Sequence, residues 1–441
     1  MTDGDRDDRF SIDPEDLDML REMFGITTSE QERRFKEVIR DLEETYGFVD
    51  KQILVQRLMS EFGIDSEFFD QIQQDMADLN MDHLDHLLDT PLKFDYECNI
   101  CHRSFTELCE HLQGQDRLEI LLQMGEVDKG LALLNKLGLN QLDEILWQIR
   151  FLIIDHDMNE IKQLLDEGSQ IIYDDNDEYN IFRLQVLKIH YLLDQRQYDE
   201  ALRVADSISP FADQLENNEN PEISYWMASL SQGMASALLK MGQVKVALDP
   251  LLVATDIFIE IKNQYQVAVS FALISSVMGI LQEGNKAHDA ARLALQLMGQ
   301  LDNDFGLIRV KTFIASGFLS LFETDIAMDY ASEALESAIE MEKNTIIAAL
   351  YGLISQIHLI EHNYNEALVV ADKCLEYAED QNISEIRAIA VSLKGDIEAE
   401  QNHIDNAIEY YERAIEMLVD GRDDQIILDL DRRIAELERL R

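Results

Sequence analysis

A 40-residue repeat constrains the fold of this chain more than any other feature of its sequence. Five alanines share this spacing: Ala247, Ala287, Ala327, Ala367 and Ala407. The same interval separates Ile161 from Ala201, and an insertion of six residues within Ser209–Pro221 separates the two registers. A unit of this length buries its apolar face only against its neighbours. The sequence therefore predicts a solenoid of stacked repeats.

Small residues accompany the five marker alanines at two fixed positions. Those twelve residues before the markers are Ala235, Ser275, Ala315, Ser355 and Gly395. Those seven residues after them are Ala254, Ala294, Ala334, Cys374 and Ala414. The apolar residues beside them recur at three- and four-residue spacing, which is typical of amphipathic helices. Each repeat is therefore predicted to be a pair of antiparallel helices that approach closely at these small side chains.

This pattern resembles the tetratricopeptide repeat (TPR), a helix–turn–helix unit, in the variant of roughly 40 residues that bacterial signalling regulators contain. The best match is Ser392–Met417, where Gly395, Ala407, Tyr411 and Ala414 lie on the family's small and aromatic positions. The resemblance implies an all-α solenoid of seven to eight helical pairs that binds other proteins.

In this family the first helix of each pair lines a concave groove that holds a partner's peptide or helix. The resemblance implies a groove lined by His190, Ser229, Gln232, Ser236, Ser276, Arg309, Thr312, Ser316, Gln356, Ser392 and Asp396. Only Arg309 and Asp396 are charged in this set, so we expect the groove to bind an amphipathic helix or an apolar peptide. The alternative is that these residues pack neighbouring helices and that the partner binds an outer face.

Three of the four cysteines lie within twelve residues, which favours metal binding over a disulfide framework. The pair Cys98 and Cys101, with Tyr96 before it and Phe105 after it, resembles the first half of a small zinc finger. The resemblance implies a structural zinc knuckle whose ligands are Cys98, Cys101, Cys109 and His111. His102 is a possible substitute ligand, and three inert or redox-active thiols are the other interpretation.

Upstream of the cysteines, three helical stretches are predicted: Ser29–Tyr46, Asp50–Phe62 and Ser66–Leu79. They resemble the small winged helix at the C-terminus of archaeal minichromosome maintenance helicases. This resemblance implies that Ser66–Leu79 is the recognition helix, yet it contains no Lys or Arg for phosphate and guanine contacts. We therefore favour protein contact over DNA contact for this domain.

The charge balance narrows the class of partner. The chain has 87 Asp and Glu against 37 Lys and Arg, a formal net charge of −50. This field disfavours nucleic acid, which stays possible, and acidic membrane surfaces. Acidity spread over every segment resembles the cytosolic proteins of salt-loaded halophiles, so we expect a halophilic, cytoplasmic protein. Met1–Phe10 has no apolar core, so we expect no signal peptide.

Candidate catalytic motifs are few. The stretch His358-Leu-Ile-Glu361-His362 has the spacing of an inverted zinc peptidase, but it ends the first helix of a repeat. His83 and His86 are three residues apart and could hold a metal, although solvent-facing histidines are commoner. The sequence has no phosphate-binding glycine loop and no GxSxG motif. We therefore expect no enzymatic activity.

These observations predict five segments: an acidic N-terminal segment (1–28), a winged-helix-like domain (29–93), a zinc knuckle (94–115), a TPR-like solenoid (116–421) and a C-terminal capping helix (422–441). The expected function is a protein-interaction scaffold or adaptor. The alternative is a transcription or replication regulator in which the winged-helix-like domain contacts DNA and the repeats sense a partner.

The zinc knuckle predicts a metal content near one zinc per chain. Replacing both Cys98 and Cys101 with Ser should remove that zinc, because a closed four-ligand site does not survive the loss of two thiolates. Inductively coupled plasma mass spectrometry of the purified wild type and double variant measures the stoichiometry. An unaltered zinc content in the double variant would contradict the knuckle.

Overall fold

The computed structural model describes residues 33–36, 80–90, 92, 94, 112–155, 158–175, 177–215, 220–380, 384–418 and 424–440. The chain divides into two compact units, Met1–Asp82 and His83–Arg441. In the first unit, residues 33–36 form a turn of helix in which Phe35 is buried. The predicted recognition helix and the four predicted zinc ligands lie outside the described residues.

The second unit contains seventeen helices in its described part after helical residues 83–89, and no strand occurs among its described residues. In chain order they are α1 Gln115–Gln123, α2 Val127–Leu137, α3 Gln141–Asp155, α4 Met158–Asp175, α5 Glu178–Asp194, α6 Tyr198–Leu215, α7 Pro221–Lys240, α8 Val244–Glu260, α9 Gln264–Ile280, α10 Gly284–Leu301, α11 Asp304–Ser320, α12 Thr324–Glu340, α13 Asn344–Ile360, α14 Tyr364–Asp380, α15 Ser384–Glu400, α16 Ile404–Leu418 and α17 Asp424–Leu440. No helix in the described ranges is long and apolar enough to cross a membrane.

The helices pack in sequence as eight pairs, from α1 with α2 to α15 with α16, and each second helix also contacts the first helix of the next pair. Five of the turns inside the pairs hold a residue with positive φ at 40-residue spacing: Gly242, Gln282, Phe322, His362 and Asn402. A left-handed residue ends a helix and reverses the chain. The predicted all-α, TPR-like solenoid is therefore confirmed for the described residues.

The small residues lie at the interfaces between paired helices, as the repeat predicts. All five marker alanines are buried, and so are the small residues before and after them. The Ser275 hydroxyl donates to the carbonyl of Ala287 at 2.9 Å, and Ser355 donates to Ala367 at the same distance two repeats later. These equivalent hydrogen bonds hold the two helices of these two pairs at the same distance.

The first helices of two successive pairs, α9 and α11, are in backbone contact. A Cβ atom on Gly279 would overlap the carbonyl oxygen of Gly317, and one on Gly317 would lie 2.8 Å from the Cα atom of Ser276. Backbone atoms cannot rotate away as a side chain does, so only glycine fits at both positions. Most residues of α9 are consequently buried on all of its sides.

Further elements flank the repeats at either end of this unit. In the segment at 83–89, Leu84 and Leu87 are buried and Asp85 forms an ion pair with Lys286 of α10. At the other end, Leu430 of α17 is buried beside the cluster that contains Tyr411. Because α17 covers the apolar face of the last pair, that face is not left to solvent.

The contact between α9 and α11 predicts opposite effects for two glycine-to-alanine substitutions. Gly279→Ala should lower the free energy of unfolding by about 1–3 kcal/mol, because the new methyl group meets fixed backbone. Gly299→Ala is the control, since no atom lies within 4 Å of the position that its methyl group would take in α10. It should raise stability by about 0.5–1 kcal/mol. Thermal unfolding followed by circular dichroism measures both; a stabilised Gly279→Ala variant would refute the close approach.

Candidate functional site

Four aromatic residues occupy one equivalent position near the start of successive first helices: Tyr179 (α5), Tyr225 (α7), Tyr265 (α9) and Phe305 (α11). The last three are 40 residues apart, and the six-residue insertion lengthens the interval between Tyr179 and Tyr225 to 46. Equivalent positions in a solenoid lie side by side. The four rings therefore follow one another along the side of the array that the first helices form, which we call the first-helix face. Tyr265 and Phe305 are buried there, with 3% and 4% of their surface exposed.

Each of these rings has a cationic side chain near it. The distances from cation to ring centroid are 5.5 Å for Arg183 and Tyr179, 5.1 Å for Arg150 and Tyr225, 6.0 Å for Arg309 and Tyr265, and 5.6 Å for Lys343 and Phe305. Cation–π contacts of this kind contribute about 0.5–2 kcal/mol each. We name these four pairs the cation–aromatic ladder. It gathers positive charge on one face of a chain whose net charge is −50.

Arg150 of α3 is the most enclosed cation of the ladder, with 9% of its side chain exposed. Its guanidinium lies 4.2 Å from the centroid of Trp147, donates to the Tyr225 hydroxyl at 2.9 Å, and donates to the Glu119 carboxylate at 2.5 Å. Burial by itself lowers the pKa of Arg150, but Glu119 and Tyr225 raise it above its ordinary value. Arg150 is therefore a buried, permanently charged group whose counterion comes from α1.

Arg183 of α5 is held by a different set of partners. It donates to Asp143 at 2.8 Å, and 11% of its side chain is exposed. The Trp226 ring lies 5.7 Å from the guanidinium of Arg183 and also 5.7 Å from that of Arg150. The Trp226 indole therefore lies near the cations of two neighbouring pairs of the ladder.

Arg309 of α11 differs from the other two arginines because it has no carboxylate partner among the residues that the structure describes. Its guanidinium donates to the Tyr265 hydroxyl at 3.0 Å. His190, whose Nε2 atom lies 3.0 Å from the Ser229 hydroxyl, is close enough to Arg309 for the guanidinium charge to lower its pKa. Burial, Arg309 and Arg150, in that order, lower the pKa of His190 to about 4. The imidazole is therefore neutral at pH 7 and adds no charge to this part of the face.

The turn between α1 and α2 lies against the far end of the ladder. Asn303 donates to the carbonyl of Gln123 at 3.0 Å, and Lys343 donates to the carbonyl of Gly125 at 2.8 Å. Gly125 has a φ of 67°, and a Cβ atom there would lie 2.8 Å from the Phe305 ring. These contacts join residues 180 and 218 positions apart. Because Glu119 contacts Arg150 and Gly125 contacts Lys343, α1 and the turn after it span the ladder.

The structure brings several of the predicted groove residues together on the first-helix face. His190 and Ser229 are adjacent, Gln232 donates to Ser270 at 3.5 Å, and Arg309 is on the ladder. Ser276 lies in the backbone contact between α9 and α11. Binding of a partner by this set stays a prediction.

The remaining predicted groove residues make local contacts or join the capping helix. The hydroxyls of Ser236, Thr312 and Ser392 donate to carbonyls of their own helices, and Ser316 and Gln356 are half-buried. Asp396 accepts from the Tyr411 hydroxyl at 2.6 Å and pairs with Arg433 of α17. Asp396 is therefore occupied by the C-terminal cap and is not a free charge of the groove.

The sequence reasoning missed the aromatic ladder and Arg150, although the repeat contained a signal for both. Arg150 lies 40 residues before His190 and so shares the repeat position of His190, Ser236 and Ser276. Because Arg150 was omitted, the expected groove contained fewer cationic side chains than the first-helix face does. The 40-residue spacing of Tyr265 and Phe305 was equally visible.

The other candidate sites have ordinary surroundings where the structure describes them. His83 lies 2.8 Å from Asp256, His358 lies 3.6 Å from Glu361, and His362 lies 3.0 Å from the Tyr364 hydroxyl. No cluster of three or more metal-ligating side chains occurs within the described ranges. Cys374 is buried in its repeat, and burial raises the pKa of its thiol to about 12.

Comparisons with known proteins identify distant structural likeness only. No protein-family model matches the sequence, and no curated protein matches it significantly. Among solved structures, a Rap protein complexed with competence and sporulation factor is similar at 17% identity and a TM-score of 0.49, over 66% of this chain and 80% of that chain. NprR in complex with its cognate peptide NprX is similar at 14% identity and a TM-score of 0.46, over 68% and 83% of the two chains. Yeast Tom70 is similar at 13% identity and a TM-score of 0.30, over 96% and 95%.

The position of His190 predicts an imidazole that does not titrate near neutrality. The pKa of His190 is lower in the folded state than in the unfolded state. As the pH falls from about 6.5 towards 4, the native state therefore binds fewer protons than the unfolded state. The free energy of unfolding decreases over that pH range. The NMR shift of the His190 Cε1 proton should stay constant between pH 7 and 5, with His190→Gln used to identify the signal. A midpoint above pH 6 would contradict this placement.

Proposed function

We propose that this chain is a non-enzymatic interaction scaffold whose first-helix face binds a peptide or helix of a protein partner. The observation that carries the proposal is Arg309. A half-buried guanidinium whose hydrogen-bond partner among the described residues is a tyrosine hydroxyl alone is poorly compensated for the water it has lost. A partner carboxylate beside Arg309 would supply the missing charge–charge interaction.

The surroundings of Arg309 support a macromolecular ligand over a small one. The rings of the ladder lie on the first helices of four successive pairs, and the cations beside them come from α3, α5, α11 and the residue before α13. Tyr, Trp and Arg are the residues that most often dominate the binding energy of protein interfaces. An extended row of such residues suits a helix or peptide that lies along it.

Site-specific photo-crosslinking tests which face receives the partner. A photoreactive phenylalanine analogue at Gln356 (α13) reports on the first-helix face, and one at Val369 (α14), which is 59% exposed, reports on the second helix of the same pair. In cells that express the chain, we expect a discrete protein adduct from position 356 and none from position 369. Adducts from position 369 alone would place the partner on the outer face and refute the proposal.

Charge removal on α11 tests the role of Arg309 in that adduct. Arg309→Gln should lower the yield of the position-356 adduct about tenfold, because a charged hydrogen-bond partner is lost from the interface. Lys311→Gln is the matched control, since Lys311 is on the same helix but pairs with Glu333 at 2.9 Å. Equal yields from the two variants, with unchanged circular dichroism spectra, would exclude Arg309 as an anchor.

A further inference from the structure

The α1 helix lies on the ladder where the proposed partner would bind. Its Glu119 carboxylate pairs with Arg150 of the ladder. The carbonyl of Gln123, its last residue, accepts from Asn303, and the carbonyl of Gly125 in the following turn accepts from Lys343 of the ladder. The α1 side chains Leu118 and Leu121 are buried. These are the groups that an acidic amphipathic helix of another protein would also provide.

Several features of α1 indicate that its own helical structure depends on this contact. It has nine residues, which is too short for a stable isolated helix. Gly114, which precedes it, makes no side-chain cap, and both Gly114 and Gly125 have left-handed backbone conformations. The segment is therefore short, lacks a side-chain cap at its N-terminus and is bounded by two glycines that permit reorientation.

We propose that α1 is an internal ligand of the cation–aromatic ladder, and that the external partner is an acidic, leucine-bearing helix that displaces it. This inference rests on the proposed function and specifies the chemistry of the partner. Arg150 cannot be left buried without a carboxylate, so Glu119 can leave only when another acidic group replaces it. Arg309, which Glu119 does not neutralise, would give an incoming acidic helix a contact that α1 does not make.

Competition between the attached α1 and a free peptide determines how well the peptide binds. An attached ligand competes at an effective concentration that is millimolar for a short flexible connection. A free peptide with the sequence of α1 should therefore bind wild-type protein poorly. It should bind much better to a variant whose own α1 no longer docks but whose ladder is intact.

Gly125→Ala is suited to this test because it changes the α1 side of the contact only. The added methyl group would meet the Phe305 ring, and the residue would keep an unfavourable positive φ. Gly138→Ala is the matched control, since Gly138 also has a positive φ but has no atom within 4 Å of the added methyl group. Glu119→Gln weakens the other end of α1 and is the second variant, in case Gly125→Ala does not fold.

The probe is a fluorescein-labelled synthetic peptide that spans residues 113–128 of this chain, and its anisotropy is measured against full-length protein. We expect at least about tenfold tighter binding to Gly125→Ala and Glu119→Gln than to wild type or Gly138→Ala. A peptide with Gln in place of Glu119 should bind at least about tenfold more weakly to the same variants.

Equal binding of the peptide to all four proteins, or none to any of them, would overturn the inference, as would equal binding of the Glu and Gln peptides. Such a result is distinct from failure of the proposed function. A position-356 adduct that persists while the α1 peptide does not bind would leave the first-helix face as the partner site and exclude only the acidic-helix chemistry.

Discussion

The close approach of helices at small side chains determines most of this structure. Because Ala, Ser, Gly or Cys occupies the same interface positions in the five repeats from α7 to α16, these pairs stack with nearly the same geometry. Any residue type that recurs every 40 residues is then repeated along one face. The aromatic ladder follows from this rule: Tyr225, Tyr265 and Phe305 are neighbours in space because the helices beneath them are equivalent.

That rule also explains how far the sequence could be interpreted. Helix pairing, burial of the marker alanines and the interface serines follow from local periodicity, and the structure confirms them. The contacts of Gln123 with Asn303 and of Gly125 with Lys343 do not, because no nearest-neighbour repeat rule relates residues 180 or 218 positions apart. Such contacts depend on how the stacked pairs curve, and small differences in each helix crossing accumulate along the array. Arg150 was left out of the expected groove for a simpler reason: its repeat position, which matches that of His190, was not followed back to the earlier repeat.

The electrostatics of the ladder differ from those of the remaining surface. At multimolar salt the Debye length falls below about 3 Å, so interactions among exposed carboxylates and their partners are largely screened. The pair of Arg150 and Glu119 has 9% and 27% of its side chains exposed and is screened much less. Recognition that depends on enclosed guanidinium groups and aromatic rings therefore persists at ionic strengths that remove long-range steering. In an acidic chain such as this one, buried and half-buried cations are therefore the charges that still contribute to specific recognition at high salt.

The contact of α1 with the ladder also changes the cooperativity expected of a solenoid. In an open solenoid each repeat is coupled only to its neighbours, and the two ends of the array make no direct contact. Here the turn after α1 is bound to Asn303 and Lys343, at the starts of the sixth and seventh pairs. Because these hydrogen bonds link the first pair to the sixth and seventh pairs, the curvature of the intervening pairs depends on whether α1 is bound. Docking of α1 therefore affects the whole repeat array, because the residues that hold the turn after it also set the distance between distant pairs.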